Sequence, residues 1–172
     1  NHVISGGTKI YVNFTNGKKI EAEVLGSDTY ADIAVLSIDS FDDISVATLG
    51  NSDDAKVGDT VFAVGAPLDS VYSWTVTRGI LSGKNRLIEV DSSNSNSTSD
   101  WVMSAIQTDA AINSGNSGGP LCDANGEVIG ITSMKLVKSG VEGMGFAIPI
   151  ETAIDYADKI VKNEDIKRPY LG

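Results

Sequence analysis

A short glycine-rich segment, Gly115-Asn116-Ser117-Gly118-Gly119-Pro120, contains the residue types that acyl transfer requires. A serine nucleophile needs a tight turn, and it needs backbone N–H groups aimed at the oxygen that becomes negative. Flanking glycines let the chain adopt that turn and let a substrate approach closely. We interpret Ser117 as a nucleophile and Gly115, Asn116 and Ser117 as an oxyanion hole, with the N–H groups of Gly115 and Ser117 as donors. A glycine-rich turn without a catalytic role is the alternative.

A serine hydroxyl also needs a base to take its proton, and His2 is the one histidine of the chain. Asp32 is the candidate to hold the imidazole in the correct tautomer. It opens the apolar strand Ile33-Ala34-Val35-Leu36, where a carboxylate is costly unless it is paired. An aspartate that merely starts the strand and bonds nearby backbone fits this pattern equally well. The order His2, Asp32, Ser117 is one of the known triad orders.

Short segments with alternating apolar residues must position these groups, and they predict an all-β fold. Asn16-Gly17 and Asn125-Gly126 predict two hairpin turns, because both positions of such a pair tolerate positive φ. Alternating apolar residues at 10–14 and 20–24 flank the first turn, and further predicted strands are Ile33–Leu36, Val61–Val64, Trp74–Leu81 and Val128–Ile131. Apolar residues at helical spacing predict one C-terminal helix over residues 150–163.

The composition excludes several classes of function. The chain has 172 residues and a formal net charge of -10, so its surface repels nucleic acid. Cys122 is the one cysteine, which rules out an internal disulfide and is typical of a small buried apolar residue. No cluster of histidine and cysteine ligands suggests a metal, and no cofactor is expected. No apolar run approaches the roughly 20 residues of a membrane-spanning helix.

The motifs together resemble the HtrA/DegP family of trypsin-like serine proteases. The matching pieces are NHVI around His2, ADIAVL around Asp32, VGDTVFAVGAPL, TVTRGILSG, IQTDAAINSGNSGGPL and GFAIP. The resemblance implies two antiparallel six-stranded β-barrels of the chymotrypsin type, the first truncated at its N-terminus. Their expected extents are about residues 1–66 and 72–149, followed by the helix and by a linker, 164–172, towards a PDZ domain. It also implies ATP-independent cleavage of misfolded or unfolded proteins through an acyl-enzyme.

The resemblance implies a primary specificity pocket as well. In trypsin-like proteases the residue six before the nucleophile sets the charge at the base of this pocket, and here it is Ala111. Alanine offers no carboxylate to receive lysine or arginine, so we expect small or medium aliphatic side chains to be preferred. Family resemblance places Ile112, Ser133, Met134 and Lys135 around the same pocket. The stem of Lys135 would pack there while its ammonium reaches water.

The resemblance further implies regulation by the ordering of loops. Zymogen-type relatives have an aspartate at the position of Asn116, which pairs with a newly cut N-terminal amine. Asparagine cannot form that ion pair. The polar segment 92–100 matches a sensor loop, Ser114-Gly115-Asn116 matches an activation loop, and residues 135–143 match a loop that shapes the pocket. Their ordering would complete the oxyanion hole by a population shift.

The chain begins one residue before the expected catalytic histidine. The opening strands of the first barrel, which contribute to trimer contacts in the family, are therefore expected in a longer parent protein. That parent is expected to be a membrane-anchored, trimer-based oligomer outside the cytoplasm, in the bacterial cell envelope, with unfolded or misfolded polypeptides as partners. Two alternatives stay open: a chaperone-like binding scaffold with an inactive or disordered site, and a serine hydrolase that uses a lysine base.

Overall fold

The computed structural model describes residues 1–39, 44–66, 74–90, 101–133 and 143–166. The chain divides into two compact units, one formed by Asn1–Ser45 with Ile154–Gly172 and one formed by Val46–Ala153. The described elements are strands except for one C-terminal helix, which confirms the predicted fold class. The predicted sensor loop at 92–100, most of the segment 135–143 and the end of the predicted linker lie outside the described residues.

The first unit contains a three-stranded antiparallel sheet in the order β1-β2-β3. Its strands are β1 (Ile10–Asn13), β2 (Lys19–Asp28) and β3 (Ile33–Ser37). The sequence predicts a truncated barrel in this part of the chain, and the structure shows this sheet in the described residues of the unit. Several apolar side chains of the unit are exposed, among them Val3, Val24 and Leu25.

The β1–β2 hairpin forms at the predicted Asn16-Gly17 turn. Gly17 has a φ of 81°, a conformation that glycine adopts without steric cost. Its N–H donates to the Phe14 carbonyl at 3.0 Å, and the Phe14 N–H donates to the Lys18 carbonyl at 2.8 Å. The turn therefore sets the register in which Val12 faces Ile20.

The second unit contains a closed barrel with the strand order β4-β5-β6-β9-β8-β7. The strands are β4 (Thr60–Gly65), β5 (Thr75–Val90), β6 (Trp101–Thr108), β7 (Pro120–Cys122), β8 (Val128–Thr132) and β9 (Gly145–Pro149). Alternate residues point inward and build a core from Val61, Ala63, Leu81, Ile106, Ala110, Leu121, Ile129 and Ala147. The predicted Asn125-Gly126 turn connects β7 and β8, with a φ of 83° at Gly126.

The position of β4 differs from the sequence prediction, which ended the first barrel near residue 66. Strand β4 pairs with β5 on one side and with β7 on the other, so it belongs to the closed barrel. Val61 and Ala63 are fully buried in that barrel's core. The apolar run Val61–Val64 predicts a strand, but it carries no information about which neighbours the strand pairs with.

The C-terminal helix, α1, spans Ile150–Val161, slightly shorter than predicted. The Glu151 carboxylate in its first turn accepts hydrogen bonds from the Ser52 N–H at 2.7 Å and from the Ser52 hydroxyl at 2.5 Å. The helix ends before Asn163, whose φ is 52°. In the first unit, Ile160 packs against β2 so closely that a Cβ at Gly26 would lie 2.7 Å from its Cγ2.

Candidate active site

Ser117 lies in a tight turn of four residues from Asn116 to Gly119. The Gly119 N–H donates to the Asn116 carbonyl at 2.9 Å, which closes the turn. Gly118 occupies its third position with a φ of 83°. A positive φ at this position is the signature of a type II turn and explains why glycine follows the serine. The serine is thus the second residue of a short, hydrogen-bonded bend in the barrel unit.

A second turn immediately precedes this one and shares Asn116 with it. The Asn116 N–H donates to the Asn113 carbonyl at 3.0 Å. Gly115 has a φ of 102°, so glycine is required here for the same reason. The Gly115 carbonyl accepts a hydrogen bond from the Ala66 N–H at 3.0 Å. The segment that the sequence assigns to the oxyanion hole therefore spans the junction of two turns.

Strand β8 holds the serine turn from one side. The Gly118 N–H donates to the Thr132 carbonyl at 2.8 Å, and the Thr132 N–H donates to the Gly119 carbonyl at 2.9 Å. The Thr132 hydroxyl lies 2.5 Å from the Asn116 carbonyl oxygen and 3.1 Å from that of Gly119. Thr132 is buried, with 1% of its surface exposed. Sequence reasoning missed this residue, because its role depends on contacts distant in sequence.

Strand β4 packs against the other side of the same turn. A Cβ at Gly119 would overlap the Val64 carbonyl, and a Cβ at Gly65 would overlap the backbone and side chain of Asn116. Glycine is needed at these two positions for close backbone approach, since neither has the positive φ of Gly118. The turn is consequently confined between two strands of the barrel.

The Asn116 side chain lies inside the barrel unit, with 1% of the residue exposed. Its Nδ2 donates to the Ala111 carbonyl at 3.1 Å, and the Thr77 hydroxyl donates to that same carbonyl at 2.9 Å. Its Oδ1 is buried without a hydrogen-bond partner among the described residues. Asn116 thus ties the serine turn to Ala111, the residue expected at the base of the primary pocket. Thr77 is a second residue that the sequence did not single out.

His2 and Asp32 lie together in the first unit. His2 Nδ1 is 2.6 Å from Asp32 Oδ2, and the His2 backbone N–H donates to Oδ1 at 2.8 Å. Because a carboxylate can only accept, the proton of this contact lies on Nδ1. The Asp32 side chain is 2% exposed and that of His2 is 36% exposed.

Local backbone structure presents Asp32 to the histidine. Asp32 has a φ of 57°, which is uncommon for a residue other than glycine. In the preceding bend, Asp28 Oδ1 accepts a hydrogen bond from the Ala31 N–H at 2.7 Å. Asp32 therefore leaves this bend in a left-handed conformation and leads directly into β3.

The structure places two of the predicted pocket residues beside strand β9. Ile112 is half-buried, and a Cβ at Gly145 would lie 2.5 Å from its Cγ1. Ser133 is 2% exposed, and its N–H donates to the Phe146 carbonyl at 3.1 Å. The other two predicted pocket residues, at 134 and 135, lie outside the described part of the chain.

Two other side chains bear on the chemistry of the barrel unit. The Lys84 ammonium donates to the Asp53 and Ala55 carbonyls at 2.7 and 2.8 Å, which occupies it in a structural role. Cys122 is half-buried. Its burial and, to a smaller extent, the negative charge of Asp123 raise the pKa of its thiol. A raised pKa disfavours the thiolate, so Cys122 is poorly suited to act as a nucleophile.

Comparison with known proteins identifies the family. The family model described as the trypsin-like peptidase domain matches residues 1–131. The chain belongs to the trypsin-like peptidase family. All three residues of the predicted triad lie within the matched range.

The curated relatives are bacterial serine proteases of the HtrA/DegP type. The chain is 46% identical over 172 residues to the serine protease Do-like HtrB of Bacillus subtilis. It is 43% identical over 172 residues to a probable periplasmic serine endoprotease DegP-like of Halomonas elongata. The alignments cover 100% and 99% of this chain but 37% and 34% of the relatives, so the chain spans about a third of their length.

A solved structure supports the same fold. The HtrA-type protease AlgW with decapeptide matches with a TM-score of 0.78 and 40% sequence identity. The match covers 94% of this chain and 46% of that one. Within the described residues, no helix has the length and apolar character needed to span a bilayer.

Proposed function

We propose that this chain provides the protease domain of a serine endopeptidase of the HtrA/DegP type. The observation that carries the proposal is the pairing of His2 with a nearly completely buried Asp32 at 2.6 Å. A buried carboxylate that fixes the Nδ1 tautomer of a half-exposed imidazole is the arrangement that makes histidine a general base. The glycine-lined turn around Ser117 also supports the proposal, because it suits the nucleophile of the reaction.

The proposed reaction proceeds through an acyl-enzyme. With the Nδ1 proton held by Asp32, His2 accepts the Ser117 hydroxyl proton at Nε2 as the serine oxygen attacks the scissile carbonyl. The imidazolium then donates that proton to the leaving amine. The N–H groups of Gly115 and Ser117 stabilise the negative oxygen of the tetrahedral intermediate. Water repeats the sequence on the acyl-enzyme and releases the new carboxyl terminus.

The proposed substrates are unfolded or misfolded polypeptides, cut after small or medium aliphatic residues without ATP. The neutral Ala111 at the expected pocket base and the apolar Ile112 beside Gly145 support this preference. A carboxylate at position 111 would instead attract lysine or arginine, because an uncompensated basic side chain is costly to bury.

The proposed setting is the bacterial cell envelope, outside the cytoplasm, in a trimer-based parent protein. Relatives named as periplasmic endoproteases support this location. The net charge of -10 argues against nucleic acid as a partner. In this setting, loop ordering rather than N-terminal cleavage would switch the enzyme on, since Asn116 cannot bind an amine as an aspartate does.

Digestion of a permanently unfolded protein by the full-length protein tests this function. We expect cleavage without ATP, with alanine, valine or leucine before most cut bonds in the mass-spectrometric map of the products. Replacing Ser117 by alanine should reduce turnover by about 10⁶-fold. Binding of the unfolded protein without cleavage by the unaltered enzyme, even after an activating peptide is added, would favour the chaperone-like scaffold instead.

Two further variants test the base and the pocket. His2→Ala should abolish cleavage, whereas a lysine-base hydrolase would retain near-normal turnover. Ala111→Asp should shift cleavage towards bonds that follow lysine or arginine. An unchanged cleavage pattern in that variant would show that position 111 does not set the pocket's specificity, and it would not contradict the predicted triad.

A further inference from the structure

The hydroxyl of Thr132 reaches the peptide bond that joins Asn116 to Ser117. We propose that Thr132 is a positioning residue, whose hydroxyl orients this peptide bond so that the Ser117 N–H is aimed at the developing oxyanion. The inference rests on the proposed function, since it concerns a donor used in acyl transfer. It adds a residue that lies outside the triad, the oxyanion segment and the predicted pocket.

Planarity of the peptide bond connects the threonine to the donor. The Asn116 carbonyl and the Ser117 N–H belong to one peptide group, and in a trans peptide they point in opposite directions. A hydrogen bond that fixes the direction of the carbonyl therefore also fixes the direction of the N–H. The Thr132 hydroxyl acts on the donor through this rigid group, without contacting the substrate.

Two donors of different origin hold the Asn116 carbonyl. The Gly119 N–H comes from within the turn at 2.9 Å, and the Thr132 hydroxyl comes from strand β8 at 2.5 Å. The hydrogen bond within the turn moves with the turn. The hydrogen bond from β8 fixes the carbonyl relative to the barrel. Loss of the hydroxyl would remove one of these two donors from the carbonyl, so the peptide group would rotate more freely.

The neighbouring peptide bond, between Ser114 and Gly115, gives a useful contrast. It carries the other predicted oxyanion donor, the Gly115 N–H. The Thr132 hydroxyl lies within hydrogen-bond distance of the Asn116 and Gly119 carbonyls, neither of which belongs to this peptide group. Thr132 thus secures one of the two predicted donors, and the segment expected to respond to activation contains the other.

The backbone of Thr132 is fixed independently of its hydroxyl. Thr132 faces Ala147 in the ladder between β8 and β9, and its N–H and carbonyl bond the serine turn. Valine has nearly the same shape as threonine and the same β-branching, which suits a strand. Thr132→Val therefore removes the hydroxyl bond while retaining the strand and its backbone contacts.

Steady-state kinetics of the full-length protein on a peptide substrate test the inference. We expect Thr132→Val to lower kcat by at least about tenfold with KM nearly unchanged, because oxyanion contacts form in the transition state. Thr132→Ser keeps the hydroxyl and should restore kcat to within about threefold of the unaltered enzyme. The pH dependence of kcat should be unchanged, because the His2–Asp32 pair is untouched.

Ser52→Ala is the matched control for the loss of a buried hydroxyl. The Ser52 hydroxyl donates to the Glu151 carboxylate, which also accepts a hydrogen bond from the Ser52 N–H. Glu151 therefore retains one donor in Ser52→Ala, just as the Asn116 carbonyl retains the Gly119 N–H in Thr132→Val. We expect Ser52→Ala to lower the urea midpoint of unfolding by about as much as Thr132→Val does, with kcat unchanged. Equal losses of kcat in the two variants would show general destabilisation and overturn the inference.

The Ser117→Ala variant separates this inference from the proposed function. If Ser117→Ala abolishes cleavage but Thr132→Val retains full kcat, or raises KM alone, the positioning role is wrong and the protease remains. If Ser117→Ala cleaves normally, the proposed function itself fails. Failure of Thr132→Ser to restore kcat would also contradict the role of the hydroxyl.

Discussion

The serine turn and the His2–Asp32 pair are held by different means. The turn lies between strands of a closed barrel, and its carbonyl and N–H groups bond both β8 and neighbouring loop residues. The pair lies beside a three-stranded sheet, and the carboxylate of Asp32 accepts from the ring and the backbone N–H of His2. Backbone packing thus positions the nucleophile, whereas a side-chain contact positions the base.

This difference predicts different consequences of mutation. Changes in the serine turn disturb packing inside a barrel, so they should affect both stability and catalysis. Changes in the His2–Asp32 pair alter the protonation and orientation of one imidazole, so they should affect catalysis far more than stability. The following variants test that separation.

Among the variants that compare the two regions, Asp32→Asn should have the largest effect on catalysis. Asparagine has the size of aspartate, but its amide no longer fixes the Nδ1 proton of His2. We expect kcat to fall by about 10⁴-fold, measured on a peptide substrate. Asp39→Asn, at an exposed position of the same unit, is the control and should be fully active. A loss of less than tenfold in Asp32→Asn would mean that the carboxylate serves only the local backbone.

Two glycine substitutions compare how tightly the chain is packed at the serine turn and in the first unit, which contains the His2–Asp32 pair. Gly119→Ala forces a Cβ into the Val64 carbonyl and should lower the free energy of unfolding by about 3 kcal/mol. Gly17→Ala, in the β1–β2 hairpin, meets no atom within 4 Å but has a φ of 81°. Its expected cost is about 1 kcal/mol. Urea denaturation measures both, and equal costs would contradict the confinement of the serine turn.

The smallest expected effect concerns the pH dependence of the barrel unit. Burial acts to raise the pKa of Glu151, but the hydrogen bonds from Ser52, a backbone hydrogen bond of Glu151 itself and the charge of Lys84 together outweigh it and hold that pKa below its ordinary value of 4.5. A depressed pKa stabilises the folded state above pH 4.5, and this contribution is lost as the pH falls further. We expect the urea midpoint of Ser52→Ala to depend less on pH below 4.5. An identical pH dependence in both proteins would contradict this role of Ser52.

Local patterns in the sequence predicted most of the fold. The turns at Asn16-Gly17 and Asn125-Gly126 and the helix from Ile150 were predicted because their signals lie within a few residues. The first barrel was expected to extend to about residue 66, but β4 pairs with β5 and β7 of the closed barrel, because an apolar run does not identify its partner strands. Strand β5 runs to Val90, beyond the predicted end at Leu81, since pairing with β6 extends it through irregular register.

In the candidate site too, features with a local sequence signal were predicted and features that depend on distant contacts were not. The glycines around Ser117 indicated a tight turn, and the structure shows that two turns meet there. Thr77 and Thr132 gave no local signal, because the carbonyls they bond are distant along the chain. The sequence therefore indicated which residues carry the chemistry, but not which buried hydroxyls hold them in place.

Covalent labelling with a fluorophosphonate tests the central claim most directly. Such probes react with a serine whose hydroxyl is activated by a neighbouring base. We expect the full-length protein to carry the label on Ser117, located by peptide mass spectrometry, and we expect His2→Ala to carry almost none. Labelling of Ser117 at the same rate in His2→Ala, or labelling of a different residue, would contradict the account.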